Sequence, residues 1–258
     1  MNEEEKKQII ENLIPTFHEA DNLSIELRER GLKKEMKSDN TPVSNGDIEV
    51  NKLITNKIKK ITPKIPIVSE ESSSNKSNKN LETFWLIDPI DGTYDYINEG
   101  DEFTINAGLI VNGRPVAGII SAPAKKRLFY TFNKGKCFEL SNNEKKQINC
   151  LKLSKKNQVK AVSYSKKLKP IIENWHKKFH VTDYIKMKSS LKFCVIATGE
   201  YDLYVAEPRA CEWDIAAGHA ILINAGGFVT DFDNNEILYG KKDFKNPSLI
   251  LKRSSVLQ

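Results

Sequence analysis

Long apolar runs are missing from this 258-residue chain, and with them the membrane-spanning classes: no stretch approaches the ~18 residues that a spanning helix needs. Cysteine is scarce and scattered. Cys137, Cys150, Cys194 and Cys211 form no CxxC pair, so reduced thiols are expected rather than a disulfide framework or a zinc knuckle. Histidine is equally sparse. Only His176 and His180 share a helical face, and no acid motif beside them completes a zinc site. No basic block is interleaved with aromatics, so no nucleic-acid partner is expected. The net charge of +6 comes instead from dispersed lysines, a surface that attracts anions such as nucleotides. The opening MNEEEKKQII lacks the apolar core of a secretory signal, and a soluble cytoplasmic protein is the expectation.

What is present is enough apolar residue, 39%, for a substantial core. Ile9, Ile10, Leu13, Ile14 and Phe17 recur at helical spacing within 5–30, with Pro15 expected to kink or divide that helix and Gly31 to end it. SDNTPVSNGD reads as a polar loop, followed by a helix over 47–60 and a short strand over 65–68. SSSNKSNKN (72–80) reads as an exposed loop. Strands are predicted at 84–87, 103–111, 115–121 and 127–132, the second and third joined by a VNGRP hairpin turn. Lysine-rich 139–160 reads as a connection. Strands at 159–163 and 202–205 then alternate with helices at 166–178 and 189–199. A helix over 213–225 ends at Gly226-Gly227, before a last strand FVTDF. No repeat is present, and the mixture predicts a layered α/β protein in two joined halves, 1–140 and 141–258.

The chemistry is suggested by where the acids fall. IPIVSEES places Glu70 and Glu71 directly after a strand, FWLIDPIDGT places Asp88 and Asp91 after another, and CEWDIAAGHAIL places Asp214 at the head of an apolar helix. Singly, each has a plain role as a loop acid, a turn residue or a helix cap. Together they would repel one another unless cations bridged them, and all-oxygen ligation suits Mg²⁺. Pro89 stiffens the intervening loop, so the Ile90 carbonyl can point inward with Asp88 and Asp91. Gly92 permits close backbone approach to a phosphate oxygen.

These motifs, DPIDGT with a following aromatic, SEES upstream and EWDIAAGHAILINAGG downstream, resemble the inositol monophosphatase superfamily. They span 47–233 in that family's order. The resemblance implies an α/β (α+β) sandwich of alternating helix and sheet layers and a lithium-sensitive, Mg²⁺-dependent phosphomonoesterase. It implies two or three Mg²⁺ ions held by Glu70, Asp88, Asp91, Asp214 and the Ile90 carbonyl. Glu70 and Thr93 would orient a water, and Asp47 would accept a hydrogen bond or proton from the Thr93 hydroxyl. Ser44-x-x-Asp47 also has the form of a capping box, and the two roles can coexist.

SSLKFC (189–194), CEWDIAAGHAIL and KSDNTPVSNGD look most like the bacterial 3'(2'),5'-bisphosphate nucleotidases, which convert adenosine 3',5'-bisphosphate to AMP and phosphate. Ser44 stands for that pattern's usual Thr and Gly46 for its Ala, both expected to be mild changes. Ser189, Lys192, Arg209, Gly92, Thr93 and Asp214 would line the substrate, with Lys192 either on a second phosphate or snorkelling from an apolar helix. The branch commonly carries Arg soon after the strand that reads Asp202-Leu203-Tyr204 here, where Arg209 is shifted along the chain. Glu207 falls where inositol phosphatases place an acid for inositol hydroxyls. The alternatives are therefore an inositol- or sugar-phosphate phosphatase, or a non-catalytic phosphate-binding protein. A homodimer and a peripheral inner-membrane location stay open.

Overall fold

The computed structural model describes residues 1–37, 41–72, 74–77, 81–142, 144–150 and 158–253. Helix α1 (Glu3–Glu29) begins at a reciprocal cap, Asn2 Oδ1 accepting from Glu5 N while Glu5 Oε2 accepts from Asn2 N. Pro15 does not divide it. Pro15 is exposed, so water can satisfy the carbonyl it frees, while Ile10, Leu13, Phe17 and Ala20 stay buried on the opposite face. A hairpin of β1 (Lys34–Met36) and β2 (Pro42–Ser44) follows where a loop was expected; residues 38–40 of that loop lie outside the described residues. Helix α2 (Asn45–Ile61) packs beside α1.

A seven-stranded sheet in chain order comes next, antiparallel after its first pair: β3 (Ile67–Ser69), β4 (Thr83–Asp91), β5 (Thr104–Val111), β6 (Arg114–Ala122), β7 (Arg127–Asn133), β8 (Lys136–Ser141) and β9 (Glu144–Gln147). The five-residue helix α3 (Thr93–Ile97) interrupts it after β4. Of the loop expected over 72–80, Ser74–Ser77 forms a 3₁₀ turn, and 73 and 78–80 are outside the described residues. The connection predicted for 139–160 is corrected in part, since β8 extends to Ser141 and β9 pairs with it as the sheet edge. Lysines suit that place: Lys145 Nζ lies 4.3 Å from the Phe138 ring centre, covering apolar surface while leaving the edge charged. Residues 143 and 151–157 are outside the described residues.

The second sheet has the order β11-β10-β12-β14-β13, from β10 (Val159–Ser163), β11 (Val181–Lys186), β12 (Leu203–Ala206), β13 (Phe228–Thr230) and β14 (Leu249–Lys252). Strands β11 and β14 were not anticipated, and the helix α4 (Pro170–Lys178) is shorter than 166–178. Helices α5 (Leu191–Ala197) and α6 (Glu212–Asn224) lie between the two sheets. The α1/α2 pair covers the outer face of the first sheet, and α4 covers the second, giving alternating helix and sheet layers. Among the described residues no helix is long and apolar enough to cross a membrane.

Close approach of α6 to the first sheet is what positions the site. Gly108 of β5 and Gly118 of β6 face Ala216 and Ala217 of α6. A Cβ at either glycine would come within 2.7 or 2.8 Å of that helix. The small residues of the AAG stretch and the two strand glycines thus let backbone meet backbone. Asp214, one turn earlier, is carried down onto the end of β4.

Candidate metal centre

Parallel pairing of β3 and β4 brings two acids to one place. Ser69 is in register with Ile87, and Glu70 N donates to Ile87 O at 3.0 Å, so Glu70 emerges beside Asp88. The apolar run stops at Asp88, but the strand, expected over 84–87, does not. The strand continues to Asp91 with an irregularity between the two acids that re-aims them, as bulges do. Asp88 Oδ1 accepts from Ile90 N at 3.1 Å, an Asx-type turn that fixes the carboxylate.

Glu70, Asp88 and Asp214 each present a ligand oxygen, all within 4.8 Å of one another. Asp88 is fully buried, and burial, followed by the charges of Glu70, Asp91 and Asp214, pushes its carboxyl well above the ordinary value. Asp214 is raised well above it too, by burial and then by Asp91 and Glu70. Burial also raises Glu70 and Asp47. Crowded acids that cannot all ionise comfortably are what a divalent cation relieves. Asn106, opposite Asp88 on β5, adds a buried Oδ1 without a hydrogen-bond partner on the same cross-strand pair. The donor set, hard oxygens only, fits Mg²⁺.

Asp91 stands slightly apart from that trio. Its Oδ2 accepts from Ser190 N at 2.5 Å and lies 2.6 Å from Ser190 Oγ, which is also 2.6 Å from Asp214 O. Asn106 Nδ2 donates to the same hydroxyl at 3.0 Å. Ser190 therefore ties the β4 acids to α6, and it is a residue the sequence reading missed in favour of its neighbour. Ser189 supplies the turn: a non-glycine residue at φ 53°, a strained conformation that holds Ser190 toward Asp91.

Asp47 and Thr93 meet as expected from the resemblance. Thr93 Oγ1 lies 3.0 Å from Asp47 Oδ1 and 3.0 Å from the Ile90 carbonyl. Asp47 Oδ2 meanwhile accepts from Ser44 N at 2.8 Å and Ser44 Oγ at 2.6 Å, so the helix-capping contact exists beside the Thr93 contact. Gly46 is not a neutral change in this setting. A Cβ there would lie 2.5 Å from Tyr96 Oη, a hydroxyl that donates to Ser24 O at 2.6 Å. Gly92, at φ 92°, makes the left-handed turn into α3, where a side chain would be strained.

Beside the carboxylates opens a cavity of about 100 Å³ lined by Asp91, Ser189, Lys192, Tyr204, Arg209 and Asp214 among others. Lys192 is buried with its Nζ on Ser189 O and 5.2 Å from the Tyr204 ring centre. It does not snorkel. Burial pushes its pKa down to about 8. The Arg209 guanidinium lies 3.5 Å from the Tyr164 ring centre at the same cavity. Glu207 lines an adjoining cavity of about 140 Å³ instead, and its Oε2 pairs with Lys169 Nζ at 2.6 Å. Two cations that were not singled out sit over Glu70: Lys37 on Glu70 and Glu71, and Lys76 on the Glu70 carbonyl. Lys37 lay in the quoted KSDNTPVSNGD motif, which was the available signal.

His176 is buried edge-on to Tyr184, and His219 Nδ1 is 2.9 Å from Tyr239 Oη, so both histidines are packing residues. All four cysteines are free thiols.

The chain belongs to the inositol monophosphatase family, whose model matches residues 2–257, and a metal-binding phosphomonoesterase is the class that fold and cleft define. Among curated relatives it is similar to the 3'(2'),5'-bisphosphate nucleotidase CysQ of Buchnera aphidicola, 37% identical over 204 residues covering 79% of this chain and 76% of that one. The Escherichia coli K12 protein of the same name is 33% identical over 222 residues, 82% and 85% of the two chains. Among solved structures, CysQ from Bacteroides thetaiotaomicron superposes with a TM-score of 0.78 at 27% identity over 96% of this chain and 97% of that one. An inositol monophosphatase from Anabaena shares the fold at 20% identity, with a TM-score of 0.74 over 97% and 92%.

Proposed function

We propose that this chain is a Mg²⁺-dependent, lithium-sensitive 3'-nucleotidase that hydrolyses adenosine 3',5'-bisphosphate to AMP and phosphate. The observation that carries this choice is the pairing of Lys192 and Arg209 in the cavity that opens from Asp91 and Asp214. A scissile phosphate held at the carboxylates would leave a second phosphate facing those two cations. The names of the curated relatives support the same choice.

Glu70, Asp88 and Asp214, joined by Asp91 and the Ile90 carbonyl, would hold two or three Mg²⁺ ions. Bound there, Mg²⁺ supplies Lewis-acid polarisation of the phosphoryl oxygens and charge neutralisation. The chain's own residues do the rest. Thr93 Oγ1, by donating to Asp47 Oδ1, turns a lone pair outward to accept a hydrogen bond from the attacking water, and Glu70 orients that water from the other side. As the water oxygen bonds to phosphorus, its proton passes toward Thr93 Oγ1 and the Thr93 proton toward Asp47 Oδ1. The bond from phosphorus to the ribose 3' oxygen breaks, and that oxygen leaves with a proton from solvent. Burial raises the Asp47 carboxyl, which makes it a better proton acceptor than an exposed aspartate.

The competing substrate class is a polyol phosphate, favoured by the position of Glu207 in the adjoining cavity. Its contact with Lys169 leaves it less free to bind hydroxyls. A non-catalytic phosphate binder would not need Asp47, Thr93 and the acids assembled together. The test is phosphate release with Mg²⁺ from adenosine 3',5'-bisphosphate, adenosine 3'-monophosphate, inositol 1-phosphate and fructose 1,6-bisphosphate. A second-phosphate contact of ~1–3 kcal/mol predicts roughly ten- to a hundredfold higher kcat/KM for the bisphosphate nucleotide. Lys192→Ala should erase most of that preference. Higher efficiency on inositol 1-phosphate would assign the decisive role to Glu207 and reject the nucleotidase proposal.

A further inference from the structure

The proposed reaction gives no task to Lys37, yet this lysine occupies an oxygen of the metal centre. It leaves β1 and closes the hairpin through its own amide, Lys37 N donating to Thr41 O at 2.8 Å. Its side chain reaches inward, with Nζ 2.6 Å from Glu71 Oε1 and 3.2 Å from Glu70 Oε1. The two contacts are unequal in a telling way. The shorter goes to Glu71, which is 4% exposed and lies outside the metal-competent trio. The longer goes to Glu70, which belongs to that trio and is 27% exposed.

Glu71 alone would be a buried carboxylate without a partner, so removing its lysine is strongly unfavourable. Lys37 is thereby tethered: Glu71 keeps it at the rim whether or not Glu70 needs it. Lys76 approaches from the other side. Its Nζ meets the Glu70 main-chain carbonyl and lies 5.0 Å from the ring centre of Trp213, the residue before Asp214. That lysine neutralises the neighbourhood without covering a carboxylate oxygen.

We propose that Lys37 is a resident counter-ion of the metal centre, seated on Glu70 in the metal-free protein and yielding that oxygen to an entering divalent cation while staying anchored on Glu71. The inference rests on the metal-dependent reading given above. It makes Lys37 a positioning residue with two opposed effects. It stabilises the metal-free fold, and it weakens the binding of the ion that uses Glu70, because a lysine charge and a divalent cation then stand at one carboxylate. It also couples occupancy of the metal centre to the β1–β2 hairpin that carries Lys37.

The test needs no substrate. Calorimetric titration with Mg²⁺, and with Mn²⁺ as a tighter-binding probe, is run on the chelator-treated wild-type protein and on Lys37→Met, Lys37→Arg and Lys76→Met. Thermal midpoints in chelator are measured on the same samples. Lys37→Met should bind metal about tenfold more tightly and melt at a lower temperature without metal. Lys37→Arg should stay within about threefold of wild type in affinity, since it keeps the charge. Lys76→Met should gain less than Lys37→Met. The double variant Lys37→Met/Glu71→Gln removes the buried unpaired carboxylate, so it should recover stability yet keep the tighter binding. Unchanged or weaker affinity in both Lys37→Met and the double variant would overturn the counter-ion role while leaving metal dependence intact. Failure of the wild-type protein to bind either metal would overturn the metal-dependent reading, and this inference with it.

Discussion

Replacing Asp88 by Asn separates the metal reading from a purely structural one, because the two predict shifts of opposite sign. Asp88 is 1% exposed and its ligand oxygen lies within 4.8 Å of those of Glu70 and Asp214. At that separation two unit charges repel by about 3.5 kcal/mol at an effective dielectric of about 20. Burial raises these acids and favours their protonated forms, which relieves part of this repulsion, so the amide should recover about 1–2 kcal/mol in the metal-free protein. The Asn side-chain oxygen can still accept from Ile90 N, so the turn is kept. For a chain of this size that gain corresponds to a thermal midpoint about 3–6 °C higher in chelator. With Mg²⁺ present the order should reverse, since wild type gains about 2.7 kcal/mol at a hundredfold excess over its dissociation constant and Asp88→Asn gains little. Phosphate release should fall by roughly 10³-fold. The assay is a pair of scanning-calorimetry runs, in chelator and in Mg²⁺, beside a turnover measurement. A variant that melts lower in chelator and shows the wild-type response to Mg²⁺ would refute the reasoning, because Asp88 would then be a structural acid only.

Folding raises the carboxyls of Asp88 and Asp214, so the metal-free native state holds protons that the unfolded chain releases. Their contribution is fully present below the ordinary carboxyl value near 4 and is lost as pH rises through the raised native values. In chelator the thermal midpoint should therefore fall from about pH 4 toward neutrality, and a midpoint that climbs over that range would contradict it. Thr93→Ala and Asp47→Asn should each lower kcat by about 10²-fold with KM little changed, and the double variant should be scarcely worse than either, since the pair acts as a unit. Asp47→Asn should in addition lose about 1 kcal/mol of stability through the Ser44 contacts, a loss that Thr93→Ala lacks.

The carboxylates of the candidate centre were legible in the sequence because Glu70 and Asp88 follow short apolar strand runs and Asp214 opens an apolar helix, and because such element ends converge in a layered fold. Glu70, Asp88 and Asp214 could be picked out by where acids end or begin apolar segments, whereas Asp47 and Thr93 entered only through the resemblance to the inositol monophosphatase superfamily. What was illegible depended on partners distant in sequence. Ser190 matters because Asp91, 99 residues earlier, happens to face its amide and hydroxyl. The role of Gly46 depends on Tyr96 filling the space beside it. Strand β14 is a short LIL run after an Asn246-Pro247 turn signal, and nothing local to it fixes its place between β12 and β13. The lysines of β9 conceal a strand because an edge tolerates charge, and Pro15 does not divide α1 because solvent on that face can take up the freed carbonyl.

The contact between Gly108, Gly118 and the Ala216-Ala217 pair sets more than packing. Asp88 is fixed to the sheet and Asp214 to the helix, so the gap between these two ligands is a helix-to-sheet distance rather than a loop conformation. A methyl group at Gly118 would meet the Ala217 backbone at 2.8 Å, so backbone must give way, and the expected response is a lift of α6 from the sheet. Such a lift widens the ligand cage by a fixed increment, which a small octahedral ion tolerates poorly and a larger, more loosely coordinated ion accepts. In the metal-dependent reading proposed above, two hydrogen atoms on β5 and β6 would thus act as a gauge for ionic radius, and Gly118→Ala should tilt the preference from Mg²⁺ toward Ca²⁺ in a competition titration.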